Sequence, residues 1–328
     1  MLANIWRSRG PGAWLLLPIA LVFSGLSAIR RGLFKLGWLK VVRLKVPVVV
    51  VGNITSGGSG KTPLVFHLAC QLQAYGRRPG IVSRGFGRRG STAMEVLPDS
   101  DVSLVGDEPL LLKRKGRFPV FVGRRRADAA RALLARHPDC DVILCDDGLQ
   151  HYALGRDVEI AVLDRRGLMN GLRLPAGPLR EPVQRMRSVD AIVLNGLDSF
   201  PGGKTHVFRM TLTGNRFYLL GDESQRISAV DLAGLHLHAV AGIGDPHRFF
   251  DQLHAQGLQC DLHVFADHHG YVASELEFCG DAILTTEKDA VKLEGLSALP
   301  VWVQPVEAQV EPDLARFVLE KLNGSASA

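Results

Sequence analysis

The sequence predicts an α/β chain in three parts. A basic, apolar helical segment covers residues 1–45, a doubly wound, mostly parallel sheet covers 46–200, and a second, smaller α/β domain covers 201–328. Three observations predict this. Val48-Val-Val-Val51 is a buried-strand run that enters a glycine-rich turn and then a helix. Short β-rich runs alternate with helical patterns after it. The first 94 residues contain no Asp or Glu, yet hold 14 of the chain's 39 Lys and Arg.

The N-terminal part is read from its charge and length. Residues 13–29 are uncharged, with Arg7 and Arg9 before them and Arg30, Arg31, Lys35 and Lys40 after. Seventeen uncharged residues sit at the lower limit for crossing a bilayer, and Pro18 and Gly25 weaken a straight span. The preferred reading is a membrane-associated helix lying in the interface. Trp6, Trp14, Phe34 and Trp38 would sit at headgroup depth, with the basic residues on anionic lipid. A true span and a helix packed in the core are the alternatives. Either membrane reading keeps the rest of the chain on the cytoplasmic side. Nucleic acid is not expected as a partner, because the basic residues are interleaved with aliphatic runs rather than set in a nucleic-acid-binding pattern. Five cysteines at irregular spacing argue against a disulfide framework and for a reducing cytosol.

The turn after the first strand is Thr55-Ser56-Gly57-Gly58-Ser59-Gly60-Lys61-Thr62. It matches G-x-x-x-x-G-K-[ST] except that Thr55 takes the place of the first glycine. Such a loop aims successive backbone N–H groups at one point, and the helix N-terminus behind it adds partial positive charge, so it wraps a polyphosphate. All eight residues are therefore expected to contact ATP. Lys61 would reach the β- and γ-phosphates, and the Thr62 hydroxyl the accompanying Mg²⁺. The central sheet is on this ground P-loop NTPase-like.

Further strands are expected at 80–83, 118–122, 142–145, 158–163 and 191–194, with helices over 64–75 and 127–136. In a parallel sheet the loops leaving the C-terminal strand ends share one edge, where ligands bind. That rule groups Arg84, Arg88 and Arg89, the run Arg124-Arg125-Arg126, Asp146-Asp147 and Asp164-Arg165-Arg166 with Lys61. Val142-Ile-Leu-Cys-Asp146-Asp147 ends a strand in paired carboxylates, as a Mg²⁺-directed acid opposite a phosphate loop requires; capping the next helix is the plain alternative. Arg84 and Arg88, set among glycines, are better candidates for a substrate phosphate than Arg124–Arg126, which equally suit the solvated start of a helix.

The Gly- and Pro-rich run at 200–204 marks the expected boundary. Beyond it strands are expected at 207–212, 217–220, 236–243, 262–265, 282–285 and 301–303, with helices near 246–256 and 313–322. Asp107 and His268 are candidates for handling the acceptor proton. His268 and His269 with Cys260, His263 and Cys279 also invite a zinc reading, but their spacing fits no standard ligand pattern.

Seven motifs in order carry a resemblance: Gly52–Pro63, Ser83-Arg84-Gly85, Val105–Leu110, Asp146–His151, Leu174–Pro182, Asp267-His268-His269 and Thr286–Asp289. Together they closely resemble the tetraacyldisaccharide 4′-kinase, or lipid A 4′-kinase, family of Gram-negative bacteria. The resemblance implies two α/β domains closing over nucleotide at the cytoplasmic face of the inner membrane. It implies transfer of the ATP γ-phosphoryl group to the 4′-hydroxyl of a tetraacylated glucosamine disaccharide 1-phosphate. It makes Asp107 the acceptor of the hydroxyl proton with His268 tuning it, and Asp146, Asp147 and Glu181 the Mg²⁺-side acids. Arg180, beside Glu181 in the Leu174–Pro182 motif, joins Arg84 and Arg88 as a substrate-binding candidate. Leu149 departs from the family, where an aromatic residue is expected.

Two other classes fit parts of the sequence. An ATP-switched P-loop ATPase cycling on and off the membrane would often carry a lysine early in the loop, where Ser56 stands. A soluble kinase or ligase with a small acceptor leaves the N-terminal segment unexplained.

Overall fold

A computed structural model of the chain describes residues 5–200 and 206–325, so the expected boundary run lies outside the described residues apart from Phe200. The chain opens with helix α1 (Pro11–Lys35). Strand β1 (Val48–Gly52) and helix α2 (Lys61–Ala74) follow, with β2 (Pro79–Ser83), β3 (Met94–Glu95), α3 (Asp107–Lys115), β4 (Val120–Val122), α4 (Arg126–Arg136), β5 (Val142–Asp146), β6 (Val158–Asp164), β7 (Ala191–Asn195) and β8 (His206–Thr213) after them. The second sheet is built from β9 (Arg216–Leu219), β10 (Asp222–Ser228), β11 (Leu237–Ala241), α5 (Pro246–Ala255), β12 (Cys260–Val264), β13 (Ala282–Thr286), α6 (Glu287–Leu293) and β14 (Val301–Gln304). Strand β15 (Glu307–Glu311) and helix α7 (Leu314–Ser325) end the described chain.

Nine strands form the first sheet in the order β15-β8-β7-β6-β1-β5-β2-β4-β3. The run from β8 to β4 is parallel, and only the outer pairs β15/β8 and β3/β4 are antiparallel. β1 holds the centre because its four valines are buried on both faces, as a parallel strand covered by helices requires. Leu64, Leu68 and Leu72 of α2 line one such covering face. Pairing of Val51 with Asp146 brings the ends of β1 and β5 side by side. That register sets the loop after β1 beside the paired carboxylates.

The six-stranded second sheet runs β10-β9-β14-β13-β11-β12 and is an insertion between β8 and β15. Here the pairing differs from the boundary expected after residue 200. β8 and β15 belong to the first sheet, and Leu314, Ala315, Val318 and Leu322 of α7 bury into its core. Alternating apolar residues define a strand but do not say which sheet it joins. The two crossings touch. A Cβ on Gly214, between β8 and β9, would lie 1.9 Å from the Pro305 carbonyl oxygen between β14 and β15, so only glycine lets the connectors pass.

Helix α1 is long and apolar enough to cross a membrane, with a mean hydropathy of 2.0, but only 11% of that window is buried. Leu15, Leu21, Val22 and Leu26 are all more than 60% exposed, while Ala13 and Ala20 face inward. Its ends are pinned to the first domain. The Trp6 indole N–H donates to Pro175 O at 2.9 Å, and Arg31 meets Glu181 at 2.9 Å. Of the four expected interfacial aromatics, Trp14 and Trp38 are exposed, whereas Phe34 packs near Tyr152 and Trp6 is held by Pro175.

Candidate active site

The glycine-rich loop leaves β1 buried and returns as α2. Gly60, at φ +87°, turns the chain into the helix, and a Cβ there would meet the Asn195 amide at 2.6 Å. Thr55 pairs across the loop with Leu179, Ser56 N–H donates to Pro178 O, and the Asn53 amide donates to Gly57 O at 3.3 Å. Arg166, oriented by Asp164 at 3.0–3.1 Å, donates to Gly58 O at 2.9 Å. The loop is thus braced from both sides. Arg166 was grouped at this edge from the sequence without a role; only the fold shows that its guanidinium lies against the loop.

Lys61 is buried, with Nζ 3.7 Å from Asp147 Oδ1, and the Arg180 guanidinium donates to Asp147 Oδ2 at 2.9 Å. Burial opposes charge on Asp147, but Lys61 and Arg180 outweigh it and hold the carboxyl far below the ordinary carboxylate range. Asp147 sits at φ +47°, an uncommon backbone conformation for a non-glycine residue. Its neighbour differs. Asp146 is fully buried, and neither of its carboxylate oxygens has a hydrogen-bond partner among the described residues. Burial, reinforced by the Glu108 and Asp147 charges against the pull of Lys61, pushes its pKa up to about 7. An orphaned carboxylate beside a phosphate loop is what a hard cation would satisfy.

Asp107 begins α3 and is 4% exposed. His268 reaches it from the loop after β12, with Nδ1 2.9 and 3.0 Å from the two carboxylate oxygens. The Lys288 ammonium donates to Glu108 at 3.0 Å, to Asp267 at 2.9 Å and to His268 Nε2 at 3.3 Å, and Lys292 Nζ lies 3.8 Å from Asp107. Burial penalises charge on both members of the pair. The His268 contact and the two lysines nevertheless hold Asp107 below its ordinary value, and the Asp107 contact raises His268 above its own. Phe86 packs on the His268 ring at 4.7 Å, and His268 has φ +63°. Lys288 and Lys292 lie in and beyond the Thr286–Asp289 motif, but their sequence gives no sign of these partners.

Between these groups lies a cleft of about 630 Å³ lined by Lys61, Arg84, Asp147, Arg180, Glu181 and His268, and by Arg30 and Arg31 of α1. Asp107 is not among its lining residues; it stands behind His268. A second, more apolar recess of about 170 Å³ adjoins the loop from Gly58 to Pro63, bounded by Ile243, Arg248 and Phe249. The remaining candidates divide. Arg84 lines the main cleft, while Arg88 is engaged by the Thr92 carbonyl of its own loop and the Leu104 carbonyl of the turn before α3. Both Glu181 oxygens accept from the Tyr152 hydroxyl, at 2.7 and 2.8 Å, and one meets Arg31. Arg126 is buried, not solvated, and donates to Asp147 O at 3.1 Å. Leu149 packs over Gly52, where a Cβ would be 2.8 Å from its Cγ. His269 pairs with Glu275 rather than joining His268 in a metal set.

Three comparisons bear on this cleft. A model of the tetraacyldisaccharide-1-P 4′-kinase family matches residues 12–323. The tetraacyldisaccharide 4′-kinase of Dechloromonas aromatica is 52% identical over 321 residues, covering 97% of this chain and 95% of that protein. The protein of the same name from Azoarcus sp. is 49% identical over 322 residues, covering 97% and 94%. A crystal structure described as the "apo" form of LpxK from Aquifex aeolicus in complex with ATP superposes with a TM-score of 0.80 at 29% identity, covering 94% of this chain and 99% of that one.

Proposed function

The chain belongs to the tetraacyldisaccharide-1-phosphate 4′-kinase family, and from that premise we propose how its own residues divide the work. It is a lipid A 4′-kinase: it binds ATP and transfers the γ-phosphoryl group to the 4′-hydroxyl of a tetraacylated glucosamine disaccharide 1-phosphate. The loop Thr55–Thr62 cradles the phosphates, and Lys61 moves from Asp147 to the β- and γ-phosphate oxygens, where it offsets the charge that develops as the phosphoryl group transfers. Arg166 and Asn53 keep the loop in shape. Thr62 and the unpartnered Asp146 would hold Mg²⁺, which when bound neutralises phosphate charge.

The acceptor hydroxyl loses its proton to the Asp107–His268 dyad. His268 faces the cleft, and the buried Asp107 charge stabilises the imidazolium that results. Lys288 ties together the Asp267 and Glu108 carboxylates on the cleft wall and gives up its contact with His268 Nε2 when that nitrogen takes the proton. Arg84 binds the sugar phosphate. Arg180 and Asp147 orient one another and close the cleft wall, and Glu181 ties Arg31 of α1 to the site. The exposed apolar face of α1, with no acidic residue before Glu95, supports docking on an anionic bilayer at its cytoplasmic face, so that the acyl chains stay in lipid while the sugar enters the cleft.

The observation that carries this reading is a phosphate loop and His268, backed by the buried Asp107, on one cleft that Arg30 and Arg31 of α1 also line. The test is transfer of labelled γ-phosphate to the isolated lipid precursor, with and without Mg²⁺. Transfer should require both Mg²⁺ and lipid, with ATP consumption idle until lipid is added, and Lys61→Ala should abolish it. Undiminished turnover by Lys61→Ala would overturn the site, and ATP consumption driven by vesicles alone would favour a membrane-cycling ATPase.

A further inference from the structure

Away from the kinase cleft, the edge of the second sheet gathers imidazoles. His236 and His238 are two apart at the start of β11, and Asp261 and His263 are two apart on β12, so each pair points to one face of the sheet. The strands are parallel with His238 opposite Asp261 and Val240 opposite His263, which sets the four side chains in one cluster.

Its geometry is that of a ligand set. His236 Nε2 is 3.0 Å and His238 Nδ1 3.8 Å from Asp261 Oδ2, and His263 Nε2 is 3.2 Å from His238 Nδ1. The donor atoms of His236, His238 and Asp261 all lie within 4.8 Å of one another, and His263 stands just outside this trio, against His238. A tetrahedral ion with bonds of about 2.0–2.1 Å sets its ligand atoms about 3.3 Å apart. The observed spacings bracket that value.

The buried member is already oriented. His238 Nε2 is 3.2 Å from the Cys279 carbonyl oxygen, which can only accept, so Nε2 carries the proton and Nδ1 presents its lone pair to the cluster. A backbone carbonyl fixing the far nitrogen is the usual support of a metal-bound imidazole. Gly280 lets that carbonyl approach, because a Cβ there would be 2.7 Å from His238 Nε2. The ring of Phe278 stacks on both His238 and His263, at 4.6 and 4.1 Å, and fixes their planes.

We propose that His236, His238, Asp261 and His263 form a structural binding site for a Zn²⁺-class divalent ion, separate from the Mg²⁺ that accompanies ATP. Three imidazole nitrogens and one carboxylate favour zinc over magnesium or calcium, which take oxygen ligands. In the metal-free protein the His263 Nε2–H faces the His238 lone pair; on loading, His263 carries its proton on Nδ1 and Nε2 turns its lone pair to the ion. β12 is an edge strand paired only to β11, and its chain runs on to Asp267 and His268. The ion would therefore pin the strand that delivers the catalytic histidine.

The test uses untagged full-length protein, stripped with a chelator and kept in excess Mg²⁺ to occupy the phosphate site. Zn²⁺ is titrated by calorimetry and Co²⁺ by its visible absorption. One equivalent should bind with sub-micromolar affinity and raise the melting temperature. His236→Ala and Asp261→Asn, both on exposed side chains and so neutral to folding, should each weaken binding about 100-fold, and Lys61→Ala should leave it unchanged. Absence of stoichiometric binding, equal binding by the His236→Ala/Asp261→Asn double variant, or a Co²⁺ spectrum with thiolate charge transfer would each overturn the site.

Discussion

His268 Nδ1 lies 2.9 Å from Asp107 Oδ2, although the two are 161 residues apart and each belongs to a different sheet system. The pair forms only where the second sheet meets α3. Asp107 raises the His268 pKa, so the rate should rise with pH along a limb set by an imidazole above its ordinary value. Asp107→Asn removes the carboxylate and should move that limb to lower pH while cutting kcat about 10²–10³-fold. His268→Gln should erase the limb. A pH profile of kcat/KM on the lipid acceptor checks this, and an unshifted limb in Asp107→Asn would show that the pair does not titrate as a unit. The stability signs follow. The raised His268 value gives stability lost as pH climbs through it, and the depressed Asp107 value gives stability lost as pH falls through it.

Gly60 is the loop glycine with least freedom. Its φ of +87° and the 2.6 Å approach of Asn195 Nδ2 to an added Cβ mean that Gly60→Ala must distort the turn or displace the amide bracing Ser59 O. The expected cost is about 1–3 kcal/mol, which for a chain of this size lowers Tm by about 1–2 °C per kcal/mol. The KM for ATP should rise with it. Calorimetry and nucleotide titration measure both, and an unaltered melt would mean that the loop is not held in this form.

How much of this was legible in the sequence depends on range. The strand, loop and helix around Lys61 are contiguous, so valine burial, glycine spacing and the lysine declare them together. The pairing of Val51 with Asp146 follows from any parallel sheet that places two such strands side by side. Asp107 and His268 became a pair only through the family resemblance, because neither has a local pattern that names its partner. Lys288 and Arg166 had no assigned role, since what distinguishes them is the charge they meet across the fold. His263 was weighed with the wrong neighbours: sequence proximity suggested His268 and the cysteines, whereas strand register brings it His236, His238 and Asp261.

Asp146 should be a residue that stability would gain by losing. Its folded pKa of about 7 lies above the ordinary carboxylate value, so keeping it charged costs folding free energy that grows from about pH 4 to about pH 7 and then levels off. Asp146→Asn should melt about 2–5 °C higher than wild type at pH 7.5 without nucleotide, and nearer to it at pH 5. Activity should fall at least about 10²-fold, because the orphaned oxygens are what the cation would occupy. Thermal scans at the two pH values decide it. A variant less stable at pH 7.5 would place an unseen partner on Asp146.

The outer face of α1 is the remaining commitment. Leu15 is 80% and Val22 63% exposed, on a helix whose opposite side is tied down through Ala13, Ala20 and Arg31. Burial of such side chains in lipid contributes roughly 1.5–3 kcal/mol each, and two acidic replacements would also repel an anionic surface. Leu15→Glu/Val22→Glu should therefore fold normally, since neither side chain packs inside the protein, yet lose sedimentation with vesicles of anionic phospholipid. Its KM for the lipid should rise about 10-fold or more, with ATP affinity unchanged. Full activity on lipid in vesicles, alongside undiminished sedimentation, would assign membrane docking to another surface of the chain.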